Sequence, residues 1–378
     1  MNHHVVLNRP WLTRPFLVLG VFGAIALALL AVRFFNGMGA VTNLNDGYPW
    51  GVWVVYDIVV GTALACGGYA LAVTVYVFNN GRYHPLIRTA LLTSLIGYSF
   101  AALGAFIDMG RWWNFYNILL PWQVNTNSVM LEVALCVFLY VMVLAIEFLP
   151  TVLEKHKAQD WQKKLNRVLF FFIALGILLP TMHQSSLGSV LIAMGWKVHP
   201  LWQTLELQPL LAVLSAFTMG FAIVIFESSV TAVGLRRQPE THLLSGIGKI
   251  IVGLIATFLV VRFAALLTAG KLGLIFAFDL GSLMFLIETA LFIYPAVILM
   301  SPTRRARGRN LVYAAVSMML AGALYRFDAF IITFNPGVGY SYLPALPEVL
   351  ITVGMVALQI MAFLFIVKQY PVLAREEH

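Results

Sequence analysis

Ten apolar runs, each about as long as a membrane is thick, constrain this chain more than any other feature. A helix needs roughly 20 mainly apolar residues to cross about 30 Å of hydrocarbon. With 61% hydrophobic and 11% charged residues, the chain is unlike a soluble domain, in which about a quarter of residues are charged. The composition excludes an ordinary water-soluble enzyme, a disordered chain and a nucleic-acid-binding domain. It predicts an all-α polytopic membrane protein whose ten transmembrane helices lie near residues 15–36, 51–78, 87–110, 127–149, 166–182, 207–235, 246–268, 279–300, 310–330 and 347–369.

The lysine and arginine residues predict the orientation of these helices. Of 24 basic residues, 18 lie at the two ends of the chain or in alternate loops that start with the second. The opposite set of loops holds only Arg111, Lys197 and Lys271. Because cytoplasmic loops carry an excess of basic residues, both termini are predicted to be cytoplasmic. The loops predicted to be outside are long and rich in Gly, Pro, Asn and aromatic residues, so we expect a partner to bind there.

Ionisable residues inside the apolar runs are candidates for function, because a charge at the bilayer centre costs at least about 2.5–3.5 kcal/mol. Most lie toward the predicted outer leaflet, as does His183, which follows Pro180 at the end of the fifth run. Some of the charges could simply pair and hold the bundle together, and this reading stays open for Arg262, Arg326 and Asp328. The complete set is Arg33, Asp57, Asp108, Glu132, Glu147, Glu227, Arg262, Glu288, Arg326 and Asp328.

The fourth run carries a polar stripe. At 100° per residue, Glu132, Cys136, Tyr140 and Glu147 fall within about 80° of one another and rise roughly 22 Å along the helix. On the third run, Ser94, Tyr98 and Asp108 also share an arc of about 80°. If these two faces meet, carboxylates and tyrosines form a path for protons through most of the membrane. The competing reading is coincidence, since two carboxylates on one long helix often share such an arc.

The sequence predicts no bound metal and no iron–sulfur cluster in this chain, because its two cysteines, Cys66 and Cys136, both lie in apolar runs. A haem held by two histidines needs a facing pair inside the bundle. His183 is the one histidine in or at the edge of a run. We therefore expect no haem.

Seven motifs carry a resemblance to a known family. They are Asp46-Gly47-Tyr48-Pro49-Trp50-Gly51-Val52-Trp53 with Asp57 and Cys66-Gly67-Gly68, Asn79-Asn80-Gly81-Arg82-Tyr83-His84-Pro85-Leu86 with Arg88, Asp108-Met109-Gly110-Arg111-Trp112-Trp113-Asn114, Asn125-Thr126-Asn127-Ser128-Val129 with Glu132, Leu179-Pro180-Thr181-Met182-His183-Gln184-Ser185-Ser186, Lys197-Val198-His199-Pro200-Leu201-Trp202 and Phe334-Asn335-Pro336-Gly337. The chain resembles the HybB-type integral membrane subunit of uptake nickel–iron hydrogenases, within the wider NrfD/PsrC-type family. The resemblance covers essentially the whole chain.

The resemblance implies one integral membrane domain with two four-helix bundles, near 51–182 and 207–330, and flanking helices near 15–36 and 347–369. It implies a bacterial inner-membrane subunit of a hydrogen:quinone oxidoreductase complex. The expected partners are a periplasmic four-cluster iron–sulfur subunit, the large and small hydrogenase subunits, and lipid. Electrons from hydrogen would reach quinone, with menaquinone the expected substrate. The chain would supply the quinone site but not the hydrogen-activating site.

We expect the following roles. Glu132, Asp57, Asp108 and His183 line or support the quinone site, where a carboxylic acid or imidazole can donate a proton to a quinone oxygen. A second group of residues relays protons from the cytoplasm, and within it Arg88 holds the carboxylates in place. His183 could instead bond a backbone carbonyl freed by Pro180. The second group is Tyr98, Tyr140, Glu147, Glu227 and Arg88.

Three alternatives stay open. The chain could serve a related sulfur-, nitrite- or tetrathionate-type reductase, because the family scaffold is shared. It could be an ion-coupled transporter, for which Gly67-Gly68 and Pro180 are weak signs of broken helices. It could also be a plain membrane anchor whose acidic residues are structural.

Overall fold

The computed structural model describes residues 4–48 and 50–374. Ten long apolar helical segments, each called a span below, confirm the predicted fold class. Spans 1 to 10 are Arg14–Asn36, Trp53–Val77, Gly81–Asp108, Val129–Lys155, Gln159–Ala193, Leu205–Gly234, Thr241–Thr268, Leu280–Met300, Gly308–Ile332 and Leu346–Gln369. Two short strands, His4–Val5 and Leu373–Ala374, pair antiparallel beside the chain ends.

The connections between spans define two faces of the molecule. The loop face carries the segments 37–48, 50–52, 109–128, 194–204, 269–279 and 333–345. The terminal face carries the paired strands and four shorter connections, one of which includes the helix Pro302–Arg305. On the loop face, short 3-10 helices cover Met38–Ala40, Trp112–Leu119, Gly195–Lys197, Pro200–Trp202 and Leu272–Phe276.

The spans pack as two groups of four with one flanking pair, as predicted. Spans 2 to 5 close on one another as the first bundle, and spans 6 to 9 as the second bundle. Spans 1 and 10 pack together, and span 10 meets the first bundle through spans 2 and 3. Spans 2 and 5 also pack on span 6, so the two bundles share a broad interface. The division of the full chain into a single domain stays a prediction.

Span 2 is a broken helix. It contains π-helical turns at Trp53–Val60 and Val73–Val77 and α-helices at Gly61–Leu64 and Gly67–Ala72, with a turn at Ala65 and Cys66. Backbone groups freed by a break inside a membrane need new partners. The hydroxyl of Ser94 accepts from the Gly68 N–H at 2.9 Å and donates to the Ala65 carbonyl at 2.5 Å. Span 3 therefore stabilises the break.

The predicted end of the fifth helix near Pro180 was wrong. Span 5 is 35 residues long and continues past Pro180 to Ala193. Buried packing in the first bundle and against span 6 compensates for the backbone hydrogen bond that a proline removes. His183 therefore lies about ten residues, or roughly 15 Å, inside the helix from its loop-face end, not at its edge.

Candidate functional site

Six polar side chains from four spans meet in the first bundle, and we call them the buried cluster. Its centre is Thr62, just beyond the π-helical turn of span 2. The Thr62 hydroxyl lies 3.1 Å from Nε2 of His183 and accepts a hydrogen bond of 3.1 Å from the Gln184 side-chain amide. All three residues are fully buried. The cluster comprises Thr62, Cys66, Tyr98, Tyr140, His183 and Gln184.

The two tyrosines extend the buried cluster toward span 4. Their rings meet edge to face with centroids 4.5 Å apart, and the ring of Tyr98 meets His183 at 5.7 Å. The Cys66 thiol donates to the Thr62 carbonyl at 3.2 Å and lies 3.7 Å from the Tyr98 hydroxyl. The faces of spans 3 and 4 therefore meet, which is the condition that the polar stripe required.

Two carboxyl groups lie between the buried cluster and the terminal face. Glu147 is two helical turns beyond Tyr140 on span 4, packed against Gly176 of span 5, and its buried Oε1 has no hydrogen-bond partner among the described residues. Glu227 of span 6 accepts a hydrogen bond from Thr93 of span 3, while its Oε1 is buried and unpartnered. Both carboxylates thus have one oxygen available for water or for a proton.

Arg88 lies further out, at the terminal face. It forms a salt bridge of 2.8 Å with Glu154 and donates to the Pro371 carbonyl at 2.8 Å. It does not pair with Glu147 or Glu227, which are the carboxylates it was expected to hold.

A second acidic group lies under the loop face. Asp57, in the π-helical turn of span 2, is 6% exposed and packs against Gly104, where an added methyl group would approach its Cβ to 3.0 Å. Asp108 ends span 3, and its buried Oδ1 has no partner among the described residues. Arg33 donates to the carbonyls of Ile107 and Met109 and so holds this end of the helix.

Glu348 also belongs to this loop-face region, and the sequence analysis missed it. It is 1% exposed and accepts hydrogen bonds from the Asn43 and Ala345 N–H groups and from the Tyr342 hydroxyl. Its position in the first turn of span 10, after a loop, made it look like an ordinary helix-start acid. Only the folded loop around it buries it.

Glu132 is set apart from these residues. It lies in the first turn of span 4 at the loop face, and its side chain is exposed, while Cys136 and Tyr140 of the same stripe are buried. Of the predicted residues, the structure brings His183, Tyr98 and Tyr140 together. Asp57 and Asp108, Glu132, Glu147, Glu227 and Arg88 occupy separate positions around them.

The second bundle contains a buried ion pair. Arg262 and Glu288 form a salt bridge, and the Trp202 indole donates to the same carboxylate at 2.8 Å. The guanidinium of Arg262 also lies 4.4 Å from the ring centroid of Phe285. These contacts favour the structural reading for Arg262. Asp328 has no comparable contacts. Its carboxylate is fully buried, and both oxygens lack a hydrogen-bond partner among the described residues.

On the loop face, His199 packs beside Asp279. Its Nε2 lies 3.9 Å from a carboxylate oxygen of Asp279, and its Nδ1 accepts from the Leu201 N–H at 3.3 Å. Burial lowers the pKa of His199 below its ordinary value and outweighs the opposite effect of Asp279. The pKa of Asp279 is lowered chiefly by the hydrogen bond from the Ser282 N–H. His199 is therefore held neutral, as an acceptor for its own loop.

Comparison with known proteins identifies the scaffold. The family model "Polysulphide reductase, NrfD" matches residues 40–334. The chain is 45% identical over 364 residues to the "Probable Ni/Fe-hydrogenase 2 b-type cytochrome subunit" of Escherichia coli strain K12, which covers 96% of this chain and 93% of that protein. It is 28% identical over 244 residues to the "Menaquinone reductase, integral membrane subunit" of Nitratidesulfovibrio vulgaris, covering 61% of this chain and 56% of that protein. Over 171 residues it is 26% identical to a selenate reductase subunit of Mesobacillus selenatarsenatis, covering 45% of this chain and 39% of that protein.

The first of these names corrects one expectation. The prediction that the chain binds no haem is wrong on this finding, because that relative is called a b-type cytochrome subunit. The described residues do not, however, fit a haem held between two histidines inside the membrane. His84 and His242 stand at the terminal-face ends of spans 3 and 7, and His183 is the one described histidine deep within a span, already enclosed by Thr62 and Tyr98.

The described residues also contain no group of three or more His, Cys, Asp or Glu side chains placed to hold a metal ion.

Proposed function

Because the chain belongs to the NrfD family and is a membrane subunit of an oxidoreductase complex, we propose that it supplies the quinone site of a hydrogenase. Hydrogen is oxidised to two protons and two electrons elsewhere in the complex. The electrons pass through a periplasmic iron–sulfur subunit docked on the loop face. Quinone takes up two electrons and two protons at this chain and leaves as quinol, with menaquinone the expected substrate.

The observation that carries this proposal is the buried cluster itself. Thr62 is linked by hydrogen bonds to His183 and Gln184, and the two tyrosines pack beside them in the first bundle. A chain with only structural needs would bury apolar residues there. Such groups can pass a proton by exchanging hydrogen-bond roles. The 45% identity to a hydrogenase subunit supports hydrogen as the source of electrons.

The proposed roles follow the positions of the residues. Asp57 and Asp108 flank the quinone head group near the loop face, and His183 delivers a proton to it from the buried cluster. Glu132, with its exposed side chain, lies where quinone would enter from lipid. Glu147 and Glu227 receive protons from the terminal face, and Tyr140 and Tyr98 pass them on. Arg88, paired with Glu154, stabilises the entrance.

Hydrogen-dependent reduction of a soluble menaquinone analogue in isolated membranes tests the function. We expect membranes without this chain to lose the activity, while hydrogen oxidation with an artificial dye acceptor persists. In Tyr98→Phe, quinone reduction should fall about 10²-fold or more, in the range of a lost proton donor. Tyr313→Phe is the matched control, because Tyr313 is half exposed on span 9. Unchanged quinone reduction in an assembled Tyr98→Phe complex would contradict the proton path.

Glu132→Gln tests the quinone site separately from the proton path. If Glu132 acts where quinone enters or is protonated, the variant should reduce quinone slowly while the complex remains assembled. Full activity in this variant would remove Glu132 from the site without affecting the role of the buried cluster.

A second candidate is the same quinone chemistry with another donor, such as a sulfur-, nitrite- or selenate-type reductase. The likeness to a menaquinone reductase subunit and a selenate reductase subunit supports it. Purifying the chain with its natural partners decides between the two. Co-purification of a nickel-containing subunit supports the hydrogenase, and its absence together with another catalytic subunit supports the alternative.

A further inference from the structure

The hydroxyl group of Thr62 has three hydrogen-bond neighbours but only one proton. It lies 2.6 Å from the Ile58 carbonyl, four residues earlier in span 2. Two oxygens at this distance are joined by a hydrogen bond, and because a carbonyl cannot donate, the proton between them belongs to Thr62. A hydroxyl carries a single proton and two lone pairs. The Thr62 oxygen can therefore only accept from its two other neighbours, His183 and Gln184.

The Gln184 amide has the orientation that this pattern requires. Arg326 of span 9 reaches the Gln184 side chain across the interface of the two bundles, 3.4 Å from its oxygen. Arginine has donors and no acceptor, so the amide oxygen must face Arg326 and the amide nitrogen must face Thr62. That nitrogen donates to the Thr62 hydroxyl at 3.1 Å. One lone pair of the Thr62 oxygen remains, and it faces His183.

His183 must then be the donor at Nε2, which lies 3.1 Å from the Thr62 oxygen. The opposite tautomer would leave Nε2 and the Thr62 oxygen facing each other without a proton between them. Nδ1 is buried and has no hydrogen-bond partner among the described residues. A ring protonated on both nitrogens would bury a charged N–H without a partner, which is costly. The neutral ring with its proton on Nε2 leaves Nδ1 bare.

One backbone group beside the ring would favour the other tautomer. The Val133 carbonyl of span 4 lies near the imidazole of His183, but Nδ1 makes no hydrogen bond with it. That carbonyl lies within the helix Val129–Lys155, where it accepts the amide N–H four residues later. The contact between Nε2 and Thr62, in contrast, has the length of an ordinary hydrogen bond. The geometry therefore favours a proton on Nε2.

We propose that Thr62 is a positioning residue that holds His183 in the tautomer with its proton on Nε2. His183 then has one bare nitrogen, Nδ1, at which it can take up a proton or accept a hydrogen bond from a hydroxyl group. In the proposed reduction of quinone, the proton enters and leaves His183 at Nδ1. Only this last step rests on the proposed function, because the tautomer follows from the contacts of Thr62 alone.

Nitrogen NMR of the purified full chain, with any subunits that co-purify and with isotope-labelled histidine, tests the tautomer. Protonated and bare imidazole nitrogens differ in chemical shift, and the couplings to the ring carbons distinguish Nδ1 from Nε2. The signals of His183 are those that disappear in His183→Asn or, if that variant does not fold, in His183→Gln. At neutral pH we expect a proton on Nε2 and a bare Nδ1. A proton on Nδ1 in the unmodified chain, alone or together with one on Nε2, would overturn the proposal.

Thr62→Val tests the positioning role, because it replaces the hydroxyl with a methyl group of similar size. The ratio of the Nε2–H to the Nδ1–H tautomer should fall about tenfold, the effect of one hydrogen bond, and Thr62→Ser should restore it. Thr74→Val is the matched control, since Thr74 is also buried in span 2 and donates to the Ala70 carbonyl four residues earlier. Its ratio should equal that of the unmodified chain. If Thr62→Val does not fold, Thr62→Ala takes its place, and an unchanged ratio in the folded variant would overturn the role of Thr62.

Quinone reduction by the same variants separates this proposal from the proposed function. A tautomer that depends on Thr62, together with normal quinone reduction in Thr62→Val, would support the proposal and remove His183 from the proton path. A proton found on Nδ1 in the unmodified chain, together with slow quinone reduction in His183→Asn, would overturn the proposal and leave the proposed function intact.

Discussion

At the scale of the residue, what matters is whether a buried polar group has a partner. Glu288 has two, Arg262 and Trp202, and the three form a closed set. Arg326 has neutral partners, and the buried carboxylate of Asp328 has none among the described residues. Since an intramembrane charge with a complete set of partners needs no further explanation, Arg326 and Asp328 carry more functional information than Arg262.

The ion pair makes a stability prediction. Arg262→Leu leaves Glu288 buried without its counter-charge and should lower the free energy of unfolding by about 3–5 kcal/mol. The double variant with Glu288→Leu should recover most of this loss, because both charges are then absent. Thermal unfolding of the detergent-solubilised protein measures both. Thr257→Val, an exposed change on the same span, should stay within about 0.5 kcal/mol, and an additive double variant would argue against the pair.

His199 makes a prediction about pH. Its pKa is lowered in the folded loop, so below the ordinary value of 6.5 the unfolded loop binds a proton more readily than the folded loop does. The stability of the loop should therefore be intact at pH 7.5 and fall as the pH drops to 5.5. Hydrogen exchange at the Leu201 and Trp202 amides, corrected for the intrinsic rate, should show faster opening at pH 5.5.

His199→Asn is the control for this loop. Asparagine can also accept at the start of a helix but does not titrate, so the corrected exchange should no longer change between pH 7.5 and 5.5. An equal dependence on pH in both proteins would show that another group is responsible.

At the scale of the element, the break in span 2 depends on close contact with its neighbours. Ser94 supplies the missing hydrogen bonds on one side. On the other side, Gly220 of span 6 lies so close that an added Cβ would be 2.7 Å from the backbone of Cys66. Two backbones can approach in this way only where one of them has no side chain. Cys66 of the buried cluster lies at this crossing, so its position depends on the glycine.

Gly220→Ala should therefore destabilise the protein by about 1–3 kcal/mol through overpacking. The matched control is Gly253→Ala on span 7, where an added Cβ meets nothing within 4 Å. That change should be neutral or slightly stabilising, because alanine loses less backbone entropy in a helix than glycine does. Unfolding midpoints in urea or on heating compare the two variants. Equal losses of stability in both would contradict a special role for the close contact at Gly220.

At the scale of the whole molecule, two faces with different chemistry enclose two bundles. The terminal face has short basic connections, while the loop face exposes large aromatic residues such as Trp113, Tyr116 and Trp122. The distribution of basic residues predicts that the terminal face is cytoplasmic. The proposed electron and proton routes approach quinone from opposite sides, so this orientation decides in which direction quinone reduction separates charge across the membrane.

Cysteine labelling tests the orientation, and both natural cysteines, Cys66 and Cys136, are buried. In spheroplasts, a membrane-impermeant maleimide should label Gln123→Cys on the loop face. It should label Thr303→Cys, on the terminal face, only after the membranes are broken. The reverse pattern would place the loop face in the cytoplasm. The unmodified chain, which should remain unlabelled in both states, is the control.

The sequence by itself determined the ten spans, the basic asymmetry and the family, because hydropathy, charge and motifs are properties of the linear chain. Helical periodicity also showed that Tyr140 and Tyr98 lie on polar faces. It could not show that Thr62 and Gln184 complete the cluster or that Arg326 reaches Gln184 from the other bundle. Nor could it show that Glu132 is exposed or that span 5 continues past Pro180. Helical periodicity specifies which side of a helix a residue occupies. Which residue of another helix it contacts is decided by the packing of helices that are far apart along the chain.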